Sequence, residues 1–222
     1  MTASLLDSLD IETGPNPTRS IIWLHGLGAD GHDFEPLVPH FIRPGAAAVR
    51  FVFPHAPVQA VSVAGGQRIR AWYDIVGLDR QSAQDEAGIR ASDQAIRGLI
   101  RRENERGVPT ERIVLGGFSQ GGAMTLFSGT RLPEKLAGMV ALSCYLLLGT
   151  SFSAERHSAN HATPIFLAHG SFDNVVAPHL GEDAHALLAA AGYAVEWHRY
   201  QMAHEVSMPE ITAIAEFLQR VL

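Results

Sequence analysis

The pentapeptide Gly117-Phe118-Ser119-Gln120-Gly121 fits the pattern G-x-S-x-G. A strand-like run precedes it and a helix-like stretch, 121–127, follows. A serine on so sharp a turn holds strained backbone angles, and only small neighbours such as Gly117 and Gly121 let strand and helix approach that closely. The turn lifts the hydroxyl above a sheet and aims it at a helix N-terminus, whose free amides favour developing negative charge. The chemistry this points to is nucleophilic attack by a serine oxygen. The plainer alternative is a glycine-rich turn carrying an idle serine.

A hydroxyl is a weak nucleophile until a base takes its proton. In strand–turn–helix sites of this kind an acid and then a histidine follow the serine along the chain. Asp173, in His169-Gly170-Ser171-Phe172-Asp173, stands just past the strand-like run 164–169. Carboxyl ends of strands are where sites of open α/β sheets lie. Asp183 falls inside the next helical pattern and reads as a solvated face. His179 and His185 belong to that helix, and His198 to the run 194–200. His204 stands in a loop ahead of the last helix. Ser119, Asp173 and His204 are therefore expected as nucleophile, orienting acid and base. Activity should fall at low pH, as an imidazole (unperturbed pKa ~6.5) becomes protonated.

Acyl transfer also needs donors where the carbonyl oxygen becomes an anion. One is the N–H of the residue after the nucleophile, Gln120; the other comes from the loop after an early strand, here Leu27. That loop, His25-Gly26-Leu27-Gly28-Ala29-Asp30-Gly31, also spells G-x-G-x-x-G, the dinucleotide-binding fingerprint. Against a nicotinamide-cofactor oxidoreductase stand Pro36 and Pro39, which bar a long following helix, and a next strand ending Phe53-Pro54 without an acidic residue for a ribose. No cofactor is expected. His157 and His161 are spaced i, i+4 but lack the glutamate of H-E-x-x-H and sit in loop-like sequence, so no metal site is expected.

These groups need a scaffold. Apolar runs at 20–25, 49–53, 112–118, 138–142, 164–169 and 194–200 suit strands of a sheet covered on both faces. Helical patterns at 85–106, 121–129, 178–191 and 209–222 alternate with them. The alternation predicts an α/β fold with a mostly parallel sheet and right-handed crossovers, a single domain over 1–222. Residues 61–71, around Gly65-Gly66, read as a small hairpin. The 19 residues 145–163 are too few for a lid domain, so the site should be open and independent of an interface.

With 222 residues and 46% hydrophobic content the chain is an ordinary globular length and composition. Its net charge of −6 argues against nucleic acid as partner. One cysteine, Cys144, rules out an internal disulfide and reads as a small buried hydrophobe. Residues 1–15 are acidic and unlike a signal peptide, and no apolar run is long enough to span a bilayer. A soluble cytoplasmic protein, not integral to a membrane, is the expectation.

Six segments together resemble the carboxylesterase, phospholipase and acyl-protein thioesterase family of small α/β-hydrolases, over about Arg19 to the C-terminus. They are the loop 25–31, Phe53-Pro54-His55-Ala56-Pro57, Arg70-Ala71-Trp72-Tyr73-Asp74, the motif 117–122, His169 to Asp173 with Val175-Val176, and His204-Glu205. The resemblance implies the α/β-hydrolase fold without a lid domain, the same triad and oxyanion amides, and an ester, thioester or lipid acyl substrate. It also implies a cleft flanked by Trp72, which could equally be core packing, with Val176 as a further substrate-binding residue. Leu147 stands where the family usually has the proline of Ser-x-Tyr-Leu-Pro, a segment that commonly borders the acyl groove. An apolar rim at 146–148 could serve that groove or a homodimer. The rival from another class is a non-catalytic binding protein on the same scaffold.

Overall fold

The computed structural model describes residues 5–42, 45–77 and 83–222. The first four residues of the acidic N-terminal stretch lie outside the described residues. The elements in chain order are β1 (Ser8–Glu12), β2 (Arg19–Leu24), α1 (Val38–Phe41), β3 (Val49–Pro54), β4 (Val58–Val61), β5 (Gln67–Arg70), α2 (Glu86–Glu105), β6 (Ile113–Phe118), α3 (Gln120–Arg131), β7 (Gly138–Leu142), α4 (Gly149–Glu155), β8 (Ile165–Gly170), α5 (Pro178–Ala190), β9 (Val195–Tyr200) and α6 (Met208–Val221).

Seven strands form one sheet in the order β1-β3-β2-β6-β7-β8-β9. Only β1 runs antiparallel, against β3; the other pairs are parallel. The unbroken apolar runs are central strands because both sheet faces are covered. On one face Ile22, Leu115 and Leu167 meet Ile96 and Leu99 of α2, Leu126 of α3 and Leu188 of α5. On the other, Ile21, Val114 and Phe166 meet Phe41 of α1 and Ile214 and Phe217 of α6. The stripe Ile89, Ile96, Leu99 and Ile100 expected of α2 is buried. Asp85 caps that helix, accepting the Gly88 N–H at 2.9 Å. Gly107, at φ 91°, turns the chain out of it.

Several elements differ from the sequence reading, α1 among them, because four residues around Pro39 leave no helical stripe. β1 is missing from it, because Asp10 and Glu12 break the apolar pattern of a five-residue edge strand; Leu9 and Ile11 pack inward while Asp10 pairs with Arg102 and Arg106. α4 is also missing: of its seven residues only Phe152 is buried, too little for a visible stripe. The hairpin exists as β4 and β5, but its first arm begins at Val58 and pairs Val58 with Arg70.

Candidate active site

β6 runs directly into α3 with Ser119 between them, at φ 55° and ψ −120°. Such a conformation costs a non-glycine residue about 1–3 kcal/mol and persists only where neighbours over-determine it. Here the Ser119 N–H donates to the Leu142 carbonyl at 2.8 Å, and its own carbonyl accepts from Ala123 at 3.0 Å. The glycines set the sharpness. A Cβ on Gly121 would lie 2.1 Å from the Leu24 carbonyl oxygen, and one on Gly117 2.5 Å from the Gly121 backbone. Strand and helix are thus in backbone contact, which only hydrogen side chains allow.

The Ser119 Oγ lies 3.0 Å from His204 Nε2. His204 Nδ1 lies 2.7 Å from Asp173 Oδ2. Since a carboxylate only accepts, the Nδ1 carries the proton, and Nε2 is left to accept from the serine hydroxyl. Asp173 is 4% exposed. Its other oxygen, Oδ1, accepts the N–H groups of Val175 at 2.9 Å and Val176 at 2.8 Å. The ring of His204 packs on Phe118 at a centroid distance of 4.7 Å. The three side chains, from turns after β6, β8 and β9, therefore meet as one hydrogen-bonded line. Such a line can draw the proton from a serine as it attacks a carbonyl.

The loop after β2 closes against this line. A Cβ on Gly26 would lie 3.4 Å from the Ser119 Cβ. The Gly28 N–H, at φ 79°, donates to the Arg70 carbonyl at 2.9 Å. Among the described residues the N–H groups of Leu27 and Gln120 have no protein acceptor. They flank the cavity that Ser119 faces, so both can meet a substrate oxygen. The third glycine of the G-x-G-x-x-G pattern, Gly31, packs against the Phe53 carbonyl, where a Cβ would lie 2.4 Å away. The helix that follows, α1, has four residues.

A cavity of about 840 Å³ opens beside Ser119. That size is ordinary for a small-molecule site. Apolar groups dominate its wall: Val63, Ile75, Leu146, Leu148, Val176, Leu180 and Leu187. Tyr73 and Tyr145 also line it, their hydroxyls 3.0 Å apart. Burial raises the pKa of both phenols, so both stay neutral donors.

Two expected substrate contacts are elsewhere. Trp72 is 1% exposed and does not line the cavity; it is a core residue. Leu147 is likewise fully buried in the core, while its neighbours Leu146 and Leu148 face the cavity. Val176 does line it. Asp183, read as a solvated face, lines it too. His198 packs between Phe166 and Tyr200, and His185 stacks on Trp197. His157 and His161 are exposed; His157 Nδ1 accepts the nearby Ala159 N–H at 3.2 Å, and His161 Nε2 lies 3.0 Å from the Ala191 carbonyl, after α5. Cys144 is buried, with its thiol pKa raised by that burial.

The sequence reading missed His169. It is 1% exposed, its Nε2 2.9 Å from the Val176 carbonyl and 3.3 Å from Asp173 Oδ2. Its position four residues before Asp173, at the end of a buried strand, was the available signal. Tyr73, next to Trp72, and Tyr145, two residues before Leu147, were not among the expected substrate contacts.

The phospholipase/carboxylesterase family model matches residues 9–222. The acyl-protein thioesterase 1 of Neurospora crassa is 41% identical over 210 residues, covering 90% of this chain and 86% of that protein. The acyl-protein thioesterase 1 of Gibberella zeae is 36% identical over 231 residues, 100% of this chain and 98% of that one. The crystal structure of Arabidopsis thaliana SOBER1 superposes with a TM-score of 0.86 at 30% identity, covering 91% of this chain and 98% of that chain. Among the described residues no helix is long and apolar enough to cross a membrane.

Proposed function

The chain belongs to the phospholipase/carboxylesterase family, with the α/β-hydrolase fold and serine hydrolase activity on ester or thioester bonds, and from that premise we propose that Ser119, His204 and Asp173 are its catalytic triad. His204 Nε2 takes the Ser119 proton as Oγ attacks the acyl carbonyl carbon. The N–H groups of Leu27 and Gln120 donate to the resulting oxyanion. The tetrahedral intermediate collapses, His204 returns the proton to the leaving alcohol or thiol, and an acyl-Ser119 ester remains. Water then attacks that ester with His204 as base, releasing the acid. Asp173 keeps the imidazole in one tautomer and stabilises its cationic form.

The observation that carries this reading is the line Asp173–His204–Ser119, with contacts of 2.7 and 3.0 Å, at the edge of an apolar cavity. The apolar wall supports a fatty acyl group, and the relatives' description as acyl-protein thioesterases supports a thioester-linked acyl chain as the natural substrate class. Hydrolysis of p-nitrophenyl esters and of an acyl thioester, with Ser119→Ala beside wild type, tests it. Wild type should turn over both and the variant should lose at least ~10³ in kcat. Equal activity in the two proteins would remove Ser119 as the nucleophile. Inertness of both would favour a binding protein on this scaffold.

A further inference from the structure

Trp72 and the side chain of Gln120 take no part in the steps above, yet they are tightly bonded. Gln120 is 2% exposed. Its Oε1 accepts the Trp72 N–H at 2.8 Å, and its Nε2 donates to the Tyr73 carbonyl at 2.8 Å. The Trp72 indole N–H then donates to the His25 carbonyl at 2.9 Å. Ser92, on α2, donates to the Trp72 carbonyl. A residue that packed only for its bulk would not need an N–H at this point.

His25 continues the path. Its Nε2 accepts the Ala56 N–H at 3.0 Å, so its proton is on Nδ1. Nδ1 therefore donates to the Gly26 carbonyl, 2.7 Å away. Burial holds the His25 pKa below its ordinary value, which keeps this neutral form. The Gly26 carbonyl and the Leu27 N–H belong to one planar trans peptide, with oxygen and hydrogen pointing oppositely. Fixing the oxygen fixes the direction of the Leu27 N–H. The Trp72 indole fixes the preceding peptide in the same way.

A continuous chain of hydrogen bonds thus joins Gln120, which carries one oxyanion donor, to Leu27, which carries the other. We propose that the Gln120 carboxamide and the Trp72 indole are positioning residues, a brace that sets the separation and aim of the two oxyanion amides without touching substrate. The inference rests on the proposed assignment of those two amides. It explains why the residue after the nucleophile is a glutamine, although only its backbone N–H would face the reacting carbonyl. It also explains why a buried tryptophan sits beside the site without lining the cavity.

The test uses Trp72→Phe, which keeps an aromatic ring and deletes the indole N–H, and Gln120→Met, which deletes both carboxamide contacts. Complete loss of one oxyanion donor costs ~10²–10³ in kcat, so a displaced donor should cost about tenfold. We expect kcat on p-nitrophenyl butyrate to fall about tenfold in each variant, with KM changed by less than about twofold. Affinity for a trifluoromethyl ketone, whose serine adduct carries an oxyanion, should fall by the same factor, while inhibition by butyrate holds. Undiminished kcat, or a loss shared equally by KM and butyrate inhibition, would overturn the brace. A measurement without variants guards against misfolding: in the wild-type ketone adduct the Trp72 indole proton should exchange slowly with deuterium, and rapid exchange would also overturn it. A wild-type protein inert to both ester and ketone overturns instead the site reading beneath the brace.

Discussion

Asp173 accepts on both carboxylate oxygens, and the two sides have different consequences. Oδ1 is held by the backbone of Val175 and Val176, which fixes the rotamer. Oδ2 faces His204 Nδ1 at 2.7 Å, with His169 Nε2 farther off at 3.3 Å. In Asp173→Asn the carbonyl oxygen would keep the two backbone donors and the NH₂ would face His204 Nδ1. The imidazole would then have to accept there and carry its proton on Nε2, facing Ser119. We expect kcat on an activated ester to fall by ~10⁴ at pH 8, with KM little changed and fluorophosphonate labelling slowed in parallel. A loss under about tenfold would mean that Asp173 does not set the tautomer. Residues of this kind are legible in a sequence because their order and their place after strands are constrained. Trp72 and Leu147 were not, because a one-residue step along a loop reverses which side chain faces the cavity. Tyr73 and Leu146 or Leu148 face it instead.

His204 stands on the loop between β9 and α6, so the start of α6 decides where it can point. In the capping-box sequence there, the Ser207 N–H donates to the Glu210 carboxylate at 3.4 Å while the Ser207 hydroxyl has no partner among the described residues, and Pro209 stands in the first turn. The box has a cost of its own. Glu210 is fully buried, its Oε1 has no hydrogen-bond partner among the described residues, and burial pushes its pKa up to about 8. The folded pKa is above the ordinary carboxyl value of 4.5. Below that value both states are protonated and the group does not penalise folding. As pH rises towards about 8 the unfolded chain ionises first, and stability is lost across that window. Glu210→Gln keeps an oxygen for the cap and cannot ionise. Urea denaturation should show the variant gaining at least about 1.4 kcal/mol on wild type between pH 5 and pH 8.5. A difference that stays constant with pH would mean that Glu210 titrates as an ordinary carboxyl. The long apolar strands and the α2 stripe were readable because burial on both faces or on one leaves a strong pattern. β1 and α4 were not, since an edge strand with two acids and a helix with one buried residue leave almost none.

At the scale of the molecule the strand order explains why residues so distant in sequence converge. β6 is central, so Ser119 emerges mid-sheet. Leu27 arrives after β2 on one side, and Asp173 and His204 arrive after β8 and β9 on the other. Carboxyl ends of parallel strands all open on one edge, and the crossovers there enclose the site. The cavity wall accordingly draws Val63 and Ile75 from the hairpin region, Leu146 and Leu148 from the segment after β7, and Leu180 and Leu187 from α5. No single stretch carries that wall, which is why the sequence pointed to Ser119, Asp173 and His204 but not to the cavity beside them. Several of its groups, Val63, Val76, Val175 and Leu187, remain exposed, so the apolar lining continues to the mouth. A fatty acyl chain lying along this wall would pass Leu187. Leu187→Trp adds bulk there and should lower kcat/KM for a dodecanoyl ester at least about tenfold more than for an acetyl ester, because only the long chain loses buried contact. The preference read from a series of p-nitrophenyl esters should move to shorter chains. Equal effects on both esters would take the acyl chain out of this cavity and leave the leaving group as its occupant.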